Sequence, residues 1–295
     1  MTGENSFSKG SMTAMEQDVN GFGKVVLQSE NGWKAEVYSY GAQVISWREP
    51  SGKDVLFLSK SAVFSPPKAI RGGIPVCFPQ FADMGPCSAQ HGFARNSEFE
   101  LVSSTQDSVT FVLHGLPDTH SEFAHHFDLF VHVRIGDAWL EENLNVVNHS
   151  VEPIKFTVAL HTYFRIYGRL QSASIKGLSG ITYLDSLQKR LSCMEKEEEV
   201  RVEGEIDRIY CNAPDEIHLK SGDVDDNREI ILRKNGFSDL VVWNPHIEKS
   251  KRMGDFGDNE WREMVCLEVA QAGSGAIQLE TGQKWHGSQH ISVQR

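Results

Sequence analysis

The stretch Phe127–Ile135, with the sequence FDLFVHVRI, carries the clearest structural signal in the chain. Its apolar residues at 127, 129, 131, 133 and 135 alternate with Asp128, Phe130, His132 and Arg134. Because successive side chains of a β-strand point to opposite faces, this period of two predicts a strand with one buried face. Shorter segments of the same kind are predicted to be strands at 23–28, 33–39, 54–58, 108–114, 139–147, 153–161, 229–233, 239–243, 264–270, 275–281 and 289–293.

The connections between these segments are rich in Gly, Pro, Asn, Asp and Ser, which are typical of turns. Many short strands with few helices predict an all-β fold, a large antiparallel sandwich or barrel, with a helical turn or two at 248–263. No internal repeat or Pro- or Ser-rich linker divides residues 21–295, which are predicted to form one domain. Residues 1–20 lack periodicity and are predicted to be a disordered tail. Residues 223–228 are predicted to form a polar hairpin tip.

The charge balance argues against one class of partner, and the hydropathy against another. The 295 residues include 29 Lys and Arg against 40 Asp and Glu, a net charge of −11. That charge repels nucleic acid, whose binding depends on neutralising phosphates. It still allows a small anionic ligand, because a local Arg cluster can overcome the average field. No apolar run reaches the roughly 20 residues of a membrane helix, so neither nucleic acid nor a membrane is expected to be a partner.

Cysteine and histidine spacing argues against a metal or a disulfide framework. The five cysteines are widely spaced and form no C-x-x-C pair, and the histidines between 114 and 132 lack a paired second site. The nucleotide-binding glycine motifs are also missing. We therefore expect no cofactor and no metal. With reduced cysteines and no signal peptide, the sequence predicts a cytoplasmic protein, and we expect it to be a monomer.

The stretch 71–95 is the first candidate for a ligand site. Gly72-Gly73 permits unusual backbone angles and the close approach of a ligand. The segment is too long for a routine hairpin loop, and long ordered loops are often functional. Arg71 and Arg95 could converge, and guanidinium groups match the geometry of phosphate or carboxylate. The alternative is that each Arg pairs with a surface acid.

Two further residues are candidates for acid–base chemistry. His161 ends an apolar strand and precedes two aromatic residues, as a side chain facing a cleft would, although a hydrogen-bonded core histidine fits equally well. Glu268 interrupts a strand that is apolar on both faces, where burial of a carboxylate is costly. Such a carboxylate either has a structural partner or has a pKa tuned for proton transfer.

An ordered set of motifs resembles a known family. The runs Arg71-Gly72-Gly73-Ile74-Pro75, His91-Gly92-Phe93-Ala94-Arg95 and Leu160-His161-Thr162-Tyr163-Phe164 are similar to those of the galactose mutarotase-like superfamily. More narrowly, the set resembles the glucose-6-phosphate 1-epimerases. The remaining matches are Asp207-Arg208-Ile209-Tyr210, Val242-Trp243-Asn244-Pro245 and Met264-Val265-Cys266-Leu267-Glu268. The resemblance covers roughly residues 22–290.

The resemblance implies a β-supersandwich with a cleft across one sheet, and cofactor-independent interconversion of the α and β anomers of a hexose 6-phosphate. It places His161 and Glu268 at the catalytic positions. It also implies an acid at Asp207 that contacts sugar hydroxyls, and two arginines that bind the phosphate. The substrate-binding positions that it implies are Arg71, Gln80, His91, Arg95 and Asp207, of which Gln80 varies within the family.

The residue types suit this chemistry. Opening a pyranose ring removes a proton from the anomeric hydroxyl and adds one to the ring oxygen, so a base and an acid must lie together. We expect Glu268 to be the base and His161 the acid. Two alternatives stay open, namely a 1-epimerase of neutral hexoses and a carbohydrate-binding module without turnover. A purely structural sandwich would leave the 71–95 segment as a disordered loop without a pocket.

Overall fold

The computed structural model describes residues 14–221 and 228–294. In chain order the strands are β1 Glu16–Gln17, β2 Gly23–Gln28, β3 Lys34–Tyr38, β4 Val44–Arg48, β5 Val76–Cys77, β6 Glu100–Ser104, β7 Ser108–Gly115, β8 Phe127–Gly136, β9 Trp139–Asn148, β10 Ile154–Phe156, β11 Val158–Leu160, β12 Tyr163–Arg165, β13 Ser174–Lys176, β14 Thr182–Asp185, β15 Leu191–Met194, β16 Glu199–Val200, β17 Ile206–Tyr210, β18 Glu216–Ser221, β19 Arg228–Asn235, β20 Asp239–Asn244, β21 Met264–Gln271, β22 Ile277–Leu279 and β23 Lys284–Gln294. The α-helix α1 is His246–Ser250, and short 3-10 helices are Ala94–Asn96, Ser121–Phe123, Leu170–Ser172, Ser186–Gln188 and Glu260–Glu263.

Two large antiparallel sheets dominate the described part of the chain, as the all-β prediction requires. One has the order β16-β13-β18-β19-β23-β9-β8-β7-β6. The other, called here the site sheet, has the order β15-β14-β17-β20-β21-β11-β5, and β12 also pairs with β21. Two small sheets, β1-β2-β3-β4 and β10-β22, complete the fold. No helix in the described ranges is long and apolar enough to cross a membrane.

The main core is an apolar cluster to which both large sheets contribute, and a second, smaller cluster lies around Phe22, Tyr38 and Tyr40. The alternation at 127–135 appears in β8, where Phe127, Leu129 and Val131 are all fully buried. Phe127 packs edge-on against Phe78, which follows β5 of the site sheet, with ring centroids 5.2 Å apart. Burial of these aromatic faces joins the two layers and holds the site sheet in place.

Two predicted strands differ from the structure. Residues 54–58 make only isolated bridges, because the Asp54 carboxylate accepts hydrogen bonds from the backbone amides of Trp47 and Leu56. The segment 153–161 is divided into β10 and β11, which lie in different sheets. At the junction the Thr157 hydroxyl donates to the Met84 carbonyl, which ties the chain to the 71–95 segment.

The predicted helical region is only partly helical, and the predicted tail is only partly described by the structure. Within 248–263, the end of α1 and the 3-10 helix at 260–263 form the helical turns. Residues 14–20 of the predicted tail include β1, which pairs with β2. Residues 1–13, and residues 222–227 of the predicted hairpin tip, lie outside the described residues. The single-domain organisation of residues 21–295 stays a prediction.

Candidate active site

A cleft of about 640 Å³ lies over the middle of the site sheet. Strands β17, β20 and β21 form its floor, and the 71–95 segment, the β14–β15 turn and α1 form its walls. Its lining includes five of the seven residues selected from the sequence, namely Arg71, His91, His161, Asp207 and Glu268. The candidate site is therefore assembled from segments separated by almost 200 residues.

The strand pairing of the site sheet brings the two predicted catalytic residues together. β21 pairs first with β12 and then with β11, and His161 and Thr162 lie in the gap between those two strands. His161 therefore lies beside Glu268 on the neighbouring strand, although 107 positions separate them in the sequence (268 − 161). His161 Nε2 is 3.4 Å from Glu268 Oε1, and both side chains are almost completely buried.

Aromatic rings fix the orientation of His161. Its imidazole stacks on Tyr163 with a centroid distance of 4.6 Å and meets the edge of Trp243 at 5.9 Å. Burial, assisted by the positive charges of Arg95 and Arg71, lowers the pKa of His161 well below its usual value. Nδ1 has no hydrogen-bond partner in the described structure. The ring is thus buried, held by packing and favoured in its neutral form.

The pKa of Glu268 is shifted in the opposite direction from that of His161. Burial, followed by the negative charge of Asp207, raises its pKa well above the usual carboxyl range, against a smaller opposing effect of Arg95. Its Oε2 atom lacks a hydrogen-bond partner among the described residues. A buried carboxyl with an unused oxygen is costly, and this cost is consistent with a functional role.

The Gly72-Gly73 pair serves backbone packing, and not the close approach of a ligand that was expected. Both residues have positive φ, 121° and 62°. A Cβ at Gly73 would lie 2.1 Å from the Val44 carbonyl oxygen, and one at Gly72 would lie 2.5 Å from that of Phe57. Only glycine fits both the backbone conformation and the space. The pair therefore sets the direction in which Arg71 leaves the backbone.

Arg71 lines the cleft and is already engaged. Its guanidinium donates to Asp255 at 3.0 Å and to the Tyr163 hydroxyl at 3.0 Å. These two partners raise its pKa further despite burial. The ion pair with Asp255 agrees with the structural alternative considered for a lone Arg, while the position at the cleft leaves a binding role open.

Arg95 does not line the cleft, in contrast to the expectation that it contacts substrate with Arg71. Its Nη2 donates to the Gln90 carbonyl, and its buried Nε has no partner in the described residues. Its charge still lowers the pKa values of both His161 and Glu268. Arg95 thus acts on the predicted catalytic pair through its electric field.

Gln80 also differs from its expected role in substrate binding. Its side chain is fully buried, and its Nε2 donates to the carbonyls of Ala82, Cys87 and Ala89. Its Oε1 accepts from the Cys87 amide. Since the buried amide is hydrogen-bonded to the 82–89 loop through both its nitrogen and its oxygen, Gln80 holds the cleft wall and does not itself line the cleft.

His91 presents a hydrogen-bond donor to the cleft. Its Nδ1 accepts from the Ala82 amide at 3.2 Å, so the proton of the neutral ring is on Nε2. Burial and the positive charges around the cleft lower its pKa well below the usual value. Its ring also packs edge-on against His161, with centroids 5.5 Å apart.

Sequence reasoning missed several cationic residues of the cleft. Lys189 and Arg190 lie at the β14–β15 turn, and Lys249 projects from α1 towards Asp207, with an Nζ–Oδ2 distance of 3.6 Å. Arg190 bonds to Asp83 on the opposite wall. None of these residues stands in a recognisable motif. Lys189 and Arg190 are visible in the sequence only as two consecutive basic residues at a turn, a pattern that usually indicates an exposed surface.

A buried polar chain lies behind His161 and connects the two large sheets. The Thr162 hydroxyl donates to Gln289 Oε1 on β23, and Gln289 Nε2 donates to Glu142 Oε2 on β9. Burial raises the pKa of Glu142 to about 8, and the Gln289 hydrogen bond opposes this only in part. The backbone that carries His161 is therefore anchored to the opposite layer by polar contacts as well as by apolar packing.

Comparison with known proteins agrees with this architecture. The family model described as Aldose 1-epimerase matches residues 23–292. A Cenchrus ciliaris protein named "Putative glucose-6-phosphate 1-epimerase" is 36% identical over 286 residues, covering 93% of this chain and 85% of the relative. An Escherichia coli K12 protein of the same name is 33% identical over 253 residues, covering 81% and 80%.

A solved structure shares the fold at lower identity. The crystal structure of a Salmonella typhimurium protein, YeaD, titled a "putative mutarotase", superposes with a TM-score of 0.82 at 24% identity. The match covers 96% of this chain and 97% of that one. The galactose mutarotase-like fold expected from the sequence is thereby confirmed, and on the extent of the family match this chain is a member of the aldose 1-epimerase family.

Proposed function

We propose that this protein interconverts the α and β anomers of a hexose 6-phosphate, with D-glucose 6-phosphate as the preferred substrate. The observation that carries the proposal is the buried His161–Glu268 pair on the cleft floor. The ring oxygen and the anomeric hydroxyl of a pyranose are both bonded to C1. An acid and a base that act on them together must therefore be neighbours, as the 3.4 Å separation allows.

The proposed reaction moves one proton in and one proton out. Glu268 takes the proton of the anomeric hydroxyl while His161 gives one to the ring oxygen, and the C1–O5 bond breaks to leave an aldehyde. Rotation about C1–C2 presents the other face of the aldehyde. The steps then run in reverse, as O5 attacks C1, His161 recovers its proton and Glu268 returns its own. No covalent bond to the protein is needed.

Burial affects the pair in a direction that assists ring opening. The charged pair, Glu268 carboxylate and His161 imidazolium, starts the reaction, and it forms from the neutral pair by transfer of the Glu268 proton to His161 across their 3.4 Å contact. The neutral pair is the state reached when the ring is open. Since burial raises the pKa of Glu268 and lowers that of His161, the protein favours the neutral pair and thus the direction of ring opening.

The charges of the cleft support an anionic substrate. Arg71, Lys189, Arg190 and Lys249 all line it, although the chain as a whole carries a net charge of −11. Such a local concentration of donors suits a phosphate group. The names of the two relatives point to the same substrate class.

We also propose that the protein acts as a cytoplasmic monomer, since one chain supplies the whole cleft and all five cysteines are free thiols.

The test is anomer exchange measured by saturation-transfer NMR on glucose 6-phosphate and on glucose, at equal concentration. We expect accelerated exchange on the phosphosugar and little on glucose. Exchange on glucose that is at least as fast would favour the neutral-hexose 1-epimerase, which shares the catalytic pair. No exchange on either sugar with folded protein would contradict the proposal and favour a binding module.

A further inference from the structure

A third buried side chain lies beside the catalytic pair and takes no part in the proposed reaction. Cys266 precedes Glu268 by two positions on β21, so both side chains are on the same face of the strand. In the register of the sheet it lies opposite Trp243, whose ring lines the cleft. Cys266 is fully buried and does not itself line the cleft.

One donor atom from each of His161, Cys266 and Glu268 lies within 4.8 Å of the other two. Across residues 14–221 and 228–294, no other three His, Cys, Asp or Glu side chains are close enough to share a metal ion in this way. An imidazole, a thiol and a carboxyl around one point are the ligand types that zinc takes in proteins.

The separation between the nitrogen and oxygen ligands suits a tetrahedral ion. With bonds of about 2.1 Å to nitrogen and oxygen, two neighbouring ligands of such an ion lie about 3.4 Å apart. His161 Nε2 and Glu268 Oε1 have this separation, 3.4 Å. The ligand atoms Nε2 and Oε1 contact each other, and an ion between them would replace that contact. The other nitrogen and oxygen, His161 Nδ1 and Glu268 Oε2, have no hydrogen-bond partner in the described structure that anchors either side chain.

We propose that His161, Cys266 and Glu268 form an inhibitory site for a soft divalent cation such as Zn²⁺, with a water molecule from the cleft as the fourth ligand. Binding expels the thiol proton of Cys266 and the carboxyl proton of Glu268 to solvent, and thiolate plus carboxylate then balance the two charges of the ion. A neutral assembly is compatible with burial, whereas an uncompensated ion is not. The thiolate selects Zn²⁺ or Cd²⁺ over Mg²⁺ and Ca²⁺.

The inhibition would be competitive with the sugar. A bound ion occupies both the proposed acid and the proposed base, so ion and substrate exclude one another. The binding of the metal does not itself rest on the proposed activity. Metal binding can therefore be tested by spectroscopy, separately from inhibition, which is tested by kinetics.

The spectroscopic test uses Co²⁺ as a probe for Zn²⁺. We expect wild-type protein titrated with Co²⁺ to develop a near-ultraviolet thiolate-to-cobalt charge-transfer band that excess Zn²⁺ removes. Cys266→Ser should abolish the band and weaken Co²⁺ binding by about 100-fold or more, since even indirect changes at metal sites cost about 10–100-fold. Cys193→Ser, which alters a half-buried cysteine outside the trio, is the matched control and should keep the band.

The kinetic test measures anomer exchange against Zn²⁺ at several sugar concentrations. We expect competitive inhibition that a chelator reverses and that Cys193→Ser retains. A wild-type spectrum without a thiolate band would overturn the site without any variant, and so would a band that persists in folded Cys266→Ser. If no sugar shows exchange, the proposed function fails while the cobalt spectrum still decides the metal site.

Discussion

At the scale of single residues, the site depends on burial that shifts two pKa values in opposite directions. Glu268 and His161 are both removed from water, which disfavours the charged form of each. An exposed pair of the same residues would be ionised at neutral pH and hydrated, and burial would no longer disfavour its charged form. The chemistry of the pair thus comes from its position in the fold as much as from its residue types.

Glu268→Gln and His161→Ala should each reduce the rate of anomer exchange by about 10²- to 10⁴-fold, because each removes one partner of a coupled proton transfer. NMR exchange on glucose 6-phosphate measures the loss, and circular dichroism checks the fold. Glu195→Gln is the matched control, since Glu195 is a buried carboxylate on the same sheet that bonds to Arg208 and Tyr210 outside the cleft. Turnover near the wild-type value in either catalytic variant would end the mechanism.

Asp207→Asn should shift the pH dependence of catalysis. The Asp207 charge helps to raise the pKa of Glu268, so its removal lowers that pKa. The base is active when deprotonated, and the rise of kcat/KM with pH should therefore move to lower pH. A pH–rate profile on glucose 6-phosphate measures the shift. A variant that binds more weakly but keeps the wild-type acid limb would show that Asp207 contacts the sugar without tuning Glu268.

At the scale of elements, the β14–β15 hairpin supplies the charge that the sequence did not reveal. Lys189 and Arg190 both adopt positive φ at its turn, 54° and 60°, which aims two consecutive basic side chains at the cleft. Arg190 bonds to Asp83 on the facing wall. Lys189 has no acidic partner among the described residues, and it is therefore available to a phosphate.

Lys189→Ala should raise KM for glucose 6-phosphate by about fivefold, the equivalent of the roughly 1 kcal/mol of an exposed charge pair. The rate on glucose, where measurable, and kcat on the phosphosugar should stay close to wild type. Lys196→Ala, an exposed lysine just beyond the same hairpin and outside the cleft, is the control. Equal changes on both sugars would show that the hairpin matters for folding and not for phosphate binding.

The strands that the sequence predicted well have at least one continuous buried face. β2, β7, β8 and β9 match the alternating segments closely because one face of each strand is more deeply buried than the other. Strands such as β14, β15 and β17 were missed, since their mixture of exposed, half-buried and buried residues lacks a clean period of two. Gln80 and Arg95 were assigned by motif, and a motif does not show which way a side chain points.

At the scale of the whole molecule, the chain Thr162–Gln289–Glu142 couples the site to the opposite sheet. Glu142 is a carboxyl with an ordinary pKa of 4.5 that burial raises to about 8. Between pH 4.5 and about pH 8, the folded protein keeps a proton on Glu142 that the unfolded chain has lost. Its contribution to the free energy of unfolding therefore falls as pH rises from about 4.5 to 8.

Glu142→Gln, which stays neutral at every pH, should remove this component of the pH dependence. Thermal unfolding of both proteins from pH 5 to pH 9 measures it. The variant should gain stability relative to wild type, by on the order of a few kcal/mol, between pH 5 and pH 8. The comparison at pH 5 is the internal control, because a lost hydrogen bond would cost the same at every pH. A difference that does not change with pH would refute the assignment.

The position of β23 has a consequence for how the protein is made. This strand follows all the others in sequence, yet it lies between β9 and β19 in the middle of its sheet. While a ribosome is still synthesising residues 284–294, the strands on either side have two open edges facing each other. Open edges invite pairing with other chains. The nascent protein is therefore most vulnerable to aggregation just before synthesis of β23, and chaperone protection matters most at that moment.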